Sequence, residues 1–94
     1  MKATVYRCEW INKKQAIAGF EIREVELYDS NLLEELQKLV GGLIELIQTK
    51  EHGDLIINEE GLLFDLPLNK WASENWMNLC GTVVKLHDKL PEED

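Results

Sequence analysis

One stretch constrains this fold more than any other: Asn31-Leu-Leu-Glu-Glu-Leu-Gln-Lys-Leu-Val-Gly-Gly42. Leu32, Leu36, Leu39 and Val40 fall at i, i+4, i+7 and i+8, the spacing of a single apolar stripe on a helix. Glu34, Glu35, Gln37 and Lys38 fill the other face. Asn31 is the expected N-cap, and Glu34 stands three residues on, where a capping box needs it. Gly41 is expected to end the helix in the left-handed conformation, and Gly42 to let the chain reverse. A helix of about nine residues does not persist alone in water. Its stripe must pack on something, and a β-sheet is the obvious partner. A strand is expected directly behind it, over residues 43–50, with the helix lying back across that strand.

The remaining elements follow from period and punctuation. Residues 4–10 alternate, with Tyr6, Cys8 and Trp10 on one face and Val5, Arg7 and Glu9 on the other, which reads as a strand. Residues 12–19 form a polar loop, and residues 20–27 a second, charge-rich strand. Phe20 and Ile22 share one parity while Val25 and Leu27 share the other. A bulge near Arg23-Glu24 would turn all four inward. Further strands are expected at residues 55–57, 62–66 and 79–86. Turns at 51–54 and 58–61 join the third, fourth and fifth strands into a meander, with Asn58 and Gly61 at the favoured ends of the second turn. Asn69 is placed to cap a short helix over residues 70–78. The last strand is expected beside the first, since chain ends tend to lie close. The sum is one α+β domain over residues 1–94: an antiparallel or mixed sheet of about five to six strands, with two short helices packed on one face. Residues 1–28 read as an N-terminal hairpin and residues 91–94 as a flexible acidic tail.

Charge and composition narrow the function classes. The formal net charge is −8 and the apolar fraction 45%, that of a globular protein. Residues 15–69 carry twelve acids against Arg23, Lys38 and Lys50, a net of −9. Direct binding to nucleic acid needs a basic surface and is disfavoured. A basic partner is allowed. No apolar run is long enough for a membrane-spanning helix. The opening Met-Lys-Ala-Thr-Val-Tyr-Arg lacks a signal peptide's apolar segment, so a cytoplasmic location is expected. Cys8 and Cys80 lie in apolar runs without further ligands at metal spacing and read as reduced, buried thiols, with a disulfide between them as the alternative.

No catalytic set emerges, and neither a cofactor nor a metal is implied. His52 and His87 have no nucleophile partner given by spacing. Gly41-Gly42 follows a helix instead of preceding one, so it offers no helix N-terminus to a phosphate. The residues with binding potential are few. Asn58, Glu59 and Glu60 form an acidic turn suited to a partner's Arg or Lys, and Glu34 and Glu35 add charge on the helix. Trp71 and Trp76 stand about 140° apart on a helix, so one is expected on the sheet and the other partly exposed, as an interface anchor. Asn69 is a cap first and a ligand contact second.

Several short blocks occur here in order: Leu36-Gln37-x-x-Val40-Gly41-Gly42, Leu43-Ile44-Glu45, Ile57-Asn58-Glu59-Glu60-Gly61, Leu66-Pro67-x-Asn69 and Gly81-Thr82-Val83-Val84. Together they resemble the phage and plasmid family catalogued as domain of unknown function 3846, over about residues 30–86. The family's common Pro at position 68 is replaced by Leu68. The resemblance implies a small accessory protein of a phage or mobile element and supplies no catalytic residues. Such proteins often block host immunity. The leading expectation is a non-enzymatic inhibitor, of anti-CRISPR or anti-restriction type, that docks on a basic, nucleic-acid-binding host defence protein. The alternative is a binder or sponge for a nucleotide signal, with a Trp stacking on the base. A plain regulatory module acting as a homodimer through an edge strand is the third.

Overall fold

The computed structural model describes residues 1–61 and 64–88. The strands are β1 (Lys2–Asn12), β2 (Ile17–Glu26), β3 (Ile44–Gln48), β4 (Asp54–Asn58) and β5 (Val83–Leu86), and the helices are α1 (Leu32–Val40) and α2 (Lys70–Asn75). The five strands form one sheet in the order β2-β1-β5-β4-β3, antiparallel throughout. Among the described residues, the two hairpins, β1–β2 and β3–β4, are thus joined by strand pairing only through β5. The last strand does lie beside the first, with Val5 opposite Val84. Among the described residues, no helix is long and apolar enough to cross a membrane.

The expected placement of both helices on one face is not what the packing shows. Leu36 and Val40 of α1 pack with Ala3, Val5, Ile56, Val84 and Leu86. Ala72 of α2 packs instead with Tyr6, Leu55, Ile57, Leu79 and Val83. Neighbouring residues of one strand point to opposite faces, so Val83 and Val84 assign the two helices to opposite sides of the sheet. The same fact removes the expected bulge at Arg23-Glu24. The β1–β2 register runs without a break from Lys2↔Glu26 to Trp10↔Ala18, and the irregularity falls between Trp10 and Asn12. Phe20 joins the α2 side while Val25 and Leu27 join the α1 side. With both faces covered, Phe20 finds one core and Val25 with Leu27 the other, while Ile22, on the Phe20 side, stays 58% exposed.

α1 has the expected length, and its stripe is the buried one, Leu36 being 1% exposed. It lies across β4, β5 and β3, so its cover extends beyond the strand that follows it. Its start differs from the expected capping box. Asn31 makes no side-chain cap bond. A 3-10 turn over Asp29–Asn31 leads into the helix and leaves Asn31 at φ −142°, ψ 33°. That is outside the extended region from which a cap side chain reaches back to the helix amides. Glu35, not Glu34, closes the entry by accepting the Tyr28 N–H at 3.0 Å.

The end of α1 follows the sequence reading. Gly41 sits at φ 79° and donates to the Gln37 carbonyl at 2.8 Å. A Cβ there would meet nothing within 4 Å, so the glycine serves the backbone alone. Gly41→Ala should therefore cost about 1 kcal/mol, the left-handed penalty, and Gly41→Asn less. Urea midpoints for the two variants check this order.

The expected strand at 62–66 is replaced by a turn where it is described; residues 62 and 63 lie outside the described residues. Phe64 N–H donates to Glu60 at 3.0 Å and Leu66 N–H to Gly61 at 3.0 Å, so the chain curls back instead of extending. The reason is topological. The free side of β4 is taken by β5, so a meander strand has no edge to join. The strand expected over 79–86 is also shorter, because Gly81 stands at φ 86° and breaks the run; Cys80 keeps an isolated bridge to Leu68. The stretch 91–94 expected as a flexible tail lies outside the described residues.

Candidate functional site

Two buried asparagines hold the loops that could carry function. Asn58, 3% exposed, ends β4. Its Nδ2 donates to the Val40 carbonyl at 3.1 Å, and its Oδ1 accepts the Glu60 N–H at 2.8 Å. The first bond serves one of the orphan carbonyls at the C-terminus of α1, and the second shapes the turn. Gly61 closes that turn by donating to the Asn58 carbonyl at 3.1 Å. Its φ is not positive. Glycine is required for a different reason, since a Cβ would come within 2.9 Å of the Cys80 carbonyl oxygen. The turn is thus pressed against the segment that follows α2.

Asn69 is fully buried. It caps α2 as expected, accepting the Ala72 N–H at 3.0 Å, and its Nδ2 donates to the carbonyls of Tyr6 and Gly81, both at 2.9 Å. Both asparagines therefore spend their polar atoms within the protein. Their contribution to a binding surface is to hold it.

The surface they hold is a groove of about 700 Å³ between the β3 edge and the chain leaving α2. Leu43, Ile47 and Ile57 form its floor, Met77 and Leu79 the opposite wall, and Glu45, Glu59 and Glu60 its acidic members; among the described residues, no Lys or Arg lines it. Leu43 is 54% and Met77 48% exposed, so the groove is apolar at its base and open. Sequence reasoning found Asn58, Glu59 and Glu60. It missed Glu45, Leu43 and Met77. The parity of Glu45 with Ile47 was visible, but the approach of Met77 to β3 depends on where α2 lands.

The other predicted residues lie elsewhere. Glu34 and Glu35 belong to α1, on the opposite side of the sheet from the α2 cluster, and none of the groove's lining comes from α1. Trp71 and Trp76 are both partly buried against the α2-side core. The expected split between them fails because α2 stops at Asn75, and Trp76 leaves helical geometry at φ −146°, ψ −81°. Trp71 stacks on Tyr6 with ring centroids 4.1 Å apart and planes 13° off parallel; the His52 ring meets it edge-on at 5.3 Å. The Lys85 ammonium stands 5.9 Å from its centroid. His52 Nε2 also lies 3.2 Å from the Asn75 carbonyl at the end of α2, so this histidine is tied into the α2 end of the fold. His87 Nε2 is 2.7 Å from the Thr4 hydroxyl.

The cysteines are free thiols, Cys8 buried and Cys80 half-buried. Burial pushes the Cys8 thiol above its ordinary pKa, opposed only in part by a backbone N–H of Lys70. Cys8 is therefore a protonated donor toward the Leu68 carbonyl at 3.3 Å, and a poor nucleophile. Among the described residues, no three His, Cys, Asp or Glu side chains gather in a way that could hold a metal ion.

A two-sided five-stranded α+β domain with an acid-lined groove at one sheet edge is the class that these features define. Within that class, the family described as domain of unknown function DUF3846 matches residues 15–94, and the chain belongs to it. The match takes in β2 as well as the blocks from Leu36 onward. No curated protein and no solved structure matches the chain.

Proposed function

We propose that this protein is a non-enzymatic accessory protein of a phage or mobile element, an acidic inhibitor that binds a basic, nucleic-acid-binding protein of a host defence system of CRISPR or restriction type. The observation that carries this reading is the groove beside β3, with an open apolar floor, three carboxylates and, among the described residues, no cation in its lining. A nucleic-acid-binding enzyme exposes Arg and Lys where its substrate lies, and a carboxylate-rich surface competes for that site. The net charge of −8 adds long-range attraction and speeds encounter. The nucleotide-signal alternative has less to rest on, because one face of Trp71 is already covered by Tyr6 and the groove is negatively charged.

The test is direct binding to purified restriction and CRISPR effector nucleases, by biolayer interferometry at low and high salt. Affinity should fall at least about tenfold between roughly 50 and 500 mM salt, as exposed charge pairs are screened. Glu45→Lys combined with Glu59→Lys should weaken binding by a further factor of about ten or more at low salt, through slower association. Both glutamates are exposed, so the variant should melt like the parent. Equal binding by parent and double variant would remove the groove from the mechanism. A thermal shift with cyclic nucleotides, in the absence of any nuclease binding, would move the reading to the sponge.

A further inference from the structure

β3 is an edge strand: it pairs with β4 on one side only. The bonds that flank the ladder reveal which of its backbone groups face outward. Glu59 N–H donates to the Leu43 carbonyl at 2.8 Å, and Thr49 N–H donates to Gly53 at 2.9 Å. In an antiparallel ladder, hydrogen-bonded and non-bonded pairs alternate. Leu43, Glu45, Ile47 and Thr49 therefore turn their backbone groups toward β4, while Ile44, Leu46 and Gln48 turn theirs outward. Among the described residues, no hydrogen bond reaches those outward groups. Natural proteins usually blunt such an edge with Lys, Pro, a bulge or a covering segment. β3 has none of the first three, and its Leu46 is 41% exposed.

We infer that the open edge of β3 takes an extended, basic segment of the partner protein as an additional strand of the sheet. This deepens the proposed role as a protein-binding inhibitor and rests on it. Strand addition supplies main-chain hydrogen bonds for affinity and alternating side-chain positions for selectivity. On the groove side, the incoming side chains lie beside Leu43 and beside Glu45 and Ile47 of β3, with Glu59 and Glu60 one strand farther in. Lys or Arg fits there, its apolar stem on the floor and its charged head at the carboxylates. On the α1 side, the incoming side chains meet Ile44 and Leu46, which favours apolar residues. The recognised segment thus alternates basic and apolar residues. Charge selects this occupant over a second copy of the chain, which would set two molecules of net charge −8 edge to edge.

The experiment uses the full chain and a terminally blocked eight-residue peptide alternating Lys and Val, with a Glu–Val peptide as its counterpart. Affinities are read by calorimetry, and amide hydrogen exchange by NMR. The Lys–Val peptide should bind and the Glu–Val peptide should not. In the complex, the amides of Ile44, Leu46 and Gln48 should exchange at least about tenfold more slowly. Leu46→Pro, which removes an outward N–H at an edge position where proline is tolerated, should weaken binding about tenfold. If that variant does not fold, the exchange measurement on the parent chain still decides.

Binding of the Lys–Val peptide without slowing of those amides overturns strand addition and leaves the protein-binding reading standing. Failure of the peptide to bind also overturns it, and the nuclease assay above then judges the broader reading separately. Slow exchange of the same amides in the free protein, with a doubled mass in ultracentrifugation, assigns the edge to a second copy and overturns the inference as well.

Discussion

Asn69→Ala should lower the unfolding free energy by about 3–5 kcal/mol, seen as a large drop in the urea midpoint with the slope unchanged. The side chain is fully buried and makes three bonds, to the Ala72 N–H and to the Tyr6 and Gly81 carbonyls. Alanine fills none of the space and leaves one amide and two carbonyls without these partners. Each unsatisfied buried group costs about 1–3 kcal/mol, less than additively. A domain of this size has only about 5–14 kcal/mol in total. The loss also spreads beyond α2, because Asn69 ties that helix to β1 and to the turn entering β5. Asn69→Asp separates cap from donor. The introduced carboxyl keeps an acceptor for Ala72 but faces two carbonyl oxygens in a buried site, which raises its pKa in the folded chain. Its deficit against the parent should be smallest below the ordinary carboxylate pKa and should grow as pH rises through the raised folded value. A deficit that shrinks with rising pH would mean that the two carbonyl contacts are not what Asn69 supplies.

Asn58→Ala should cost about 2–3 kcal/mol, and its effect should reach binding as well as stability. The Val40 carbonyl and the Glu60 N–H both lose a buried partner. The turn carrying Glu59 and Glu60 then loses the bond that anchors it under α1. Amide exchange at Glu60 should accelerate at temperatures where the variant is still folded. Affinity for the basic peptide should fall in parallel, although the Asn58 side chain is spent on bonds within the protein. Asn58→Asp should be worse than alanine near neutral pH. It directs a carboxylate at the Val40 carbonyl, at the negative end of the α1 dipole. Alanine and parent chains with the same Glu60 exchange rate would sink the anchoring role.

Local features were the legible ones. The α1 stripe, the Gly41 stop, the Asn58–Gly61 turn and the Asn69 cap each depend on residues within a few positions of one another, where spacing carries the information. Asn69 marks the limit of that information: its cap bond spans three residues, but its bond to Tyr6 spans 63. The parity change between Phe20, Ile22 and Val25, Leu27 is visible in the sequence, but it implies a bulge only if a single face of the sheet is covered. Two covered faces place Phe20 on one side and Val25 and Leu27 on the other without any irregularity, and leave Ile22 exposed. The run 62–66 looked like a strand by composition, but composition cannot show that β5 already holds the place beside β4. The groove was half legible. Its turn could be read, whereas the wall from Met77 and Leu79 depends on how α2 settles over the far face.

The position of β5 has a consequence for how the molecule is made. The strand at the middle of the sheet is the last of the five in sequence, and among the described residues it alone pairs one hairpin with the other. Ribosomal synthesis therefore delivers two ribbons that share the packing of α1 but have no strand pairing between them, each with an apolar flank still wet. Closure waits for Val83–Leu86 to emerge, and assembly should come as one late, cooperative event instead of a gradual build-up from the first ribbon.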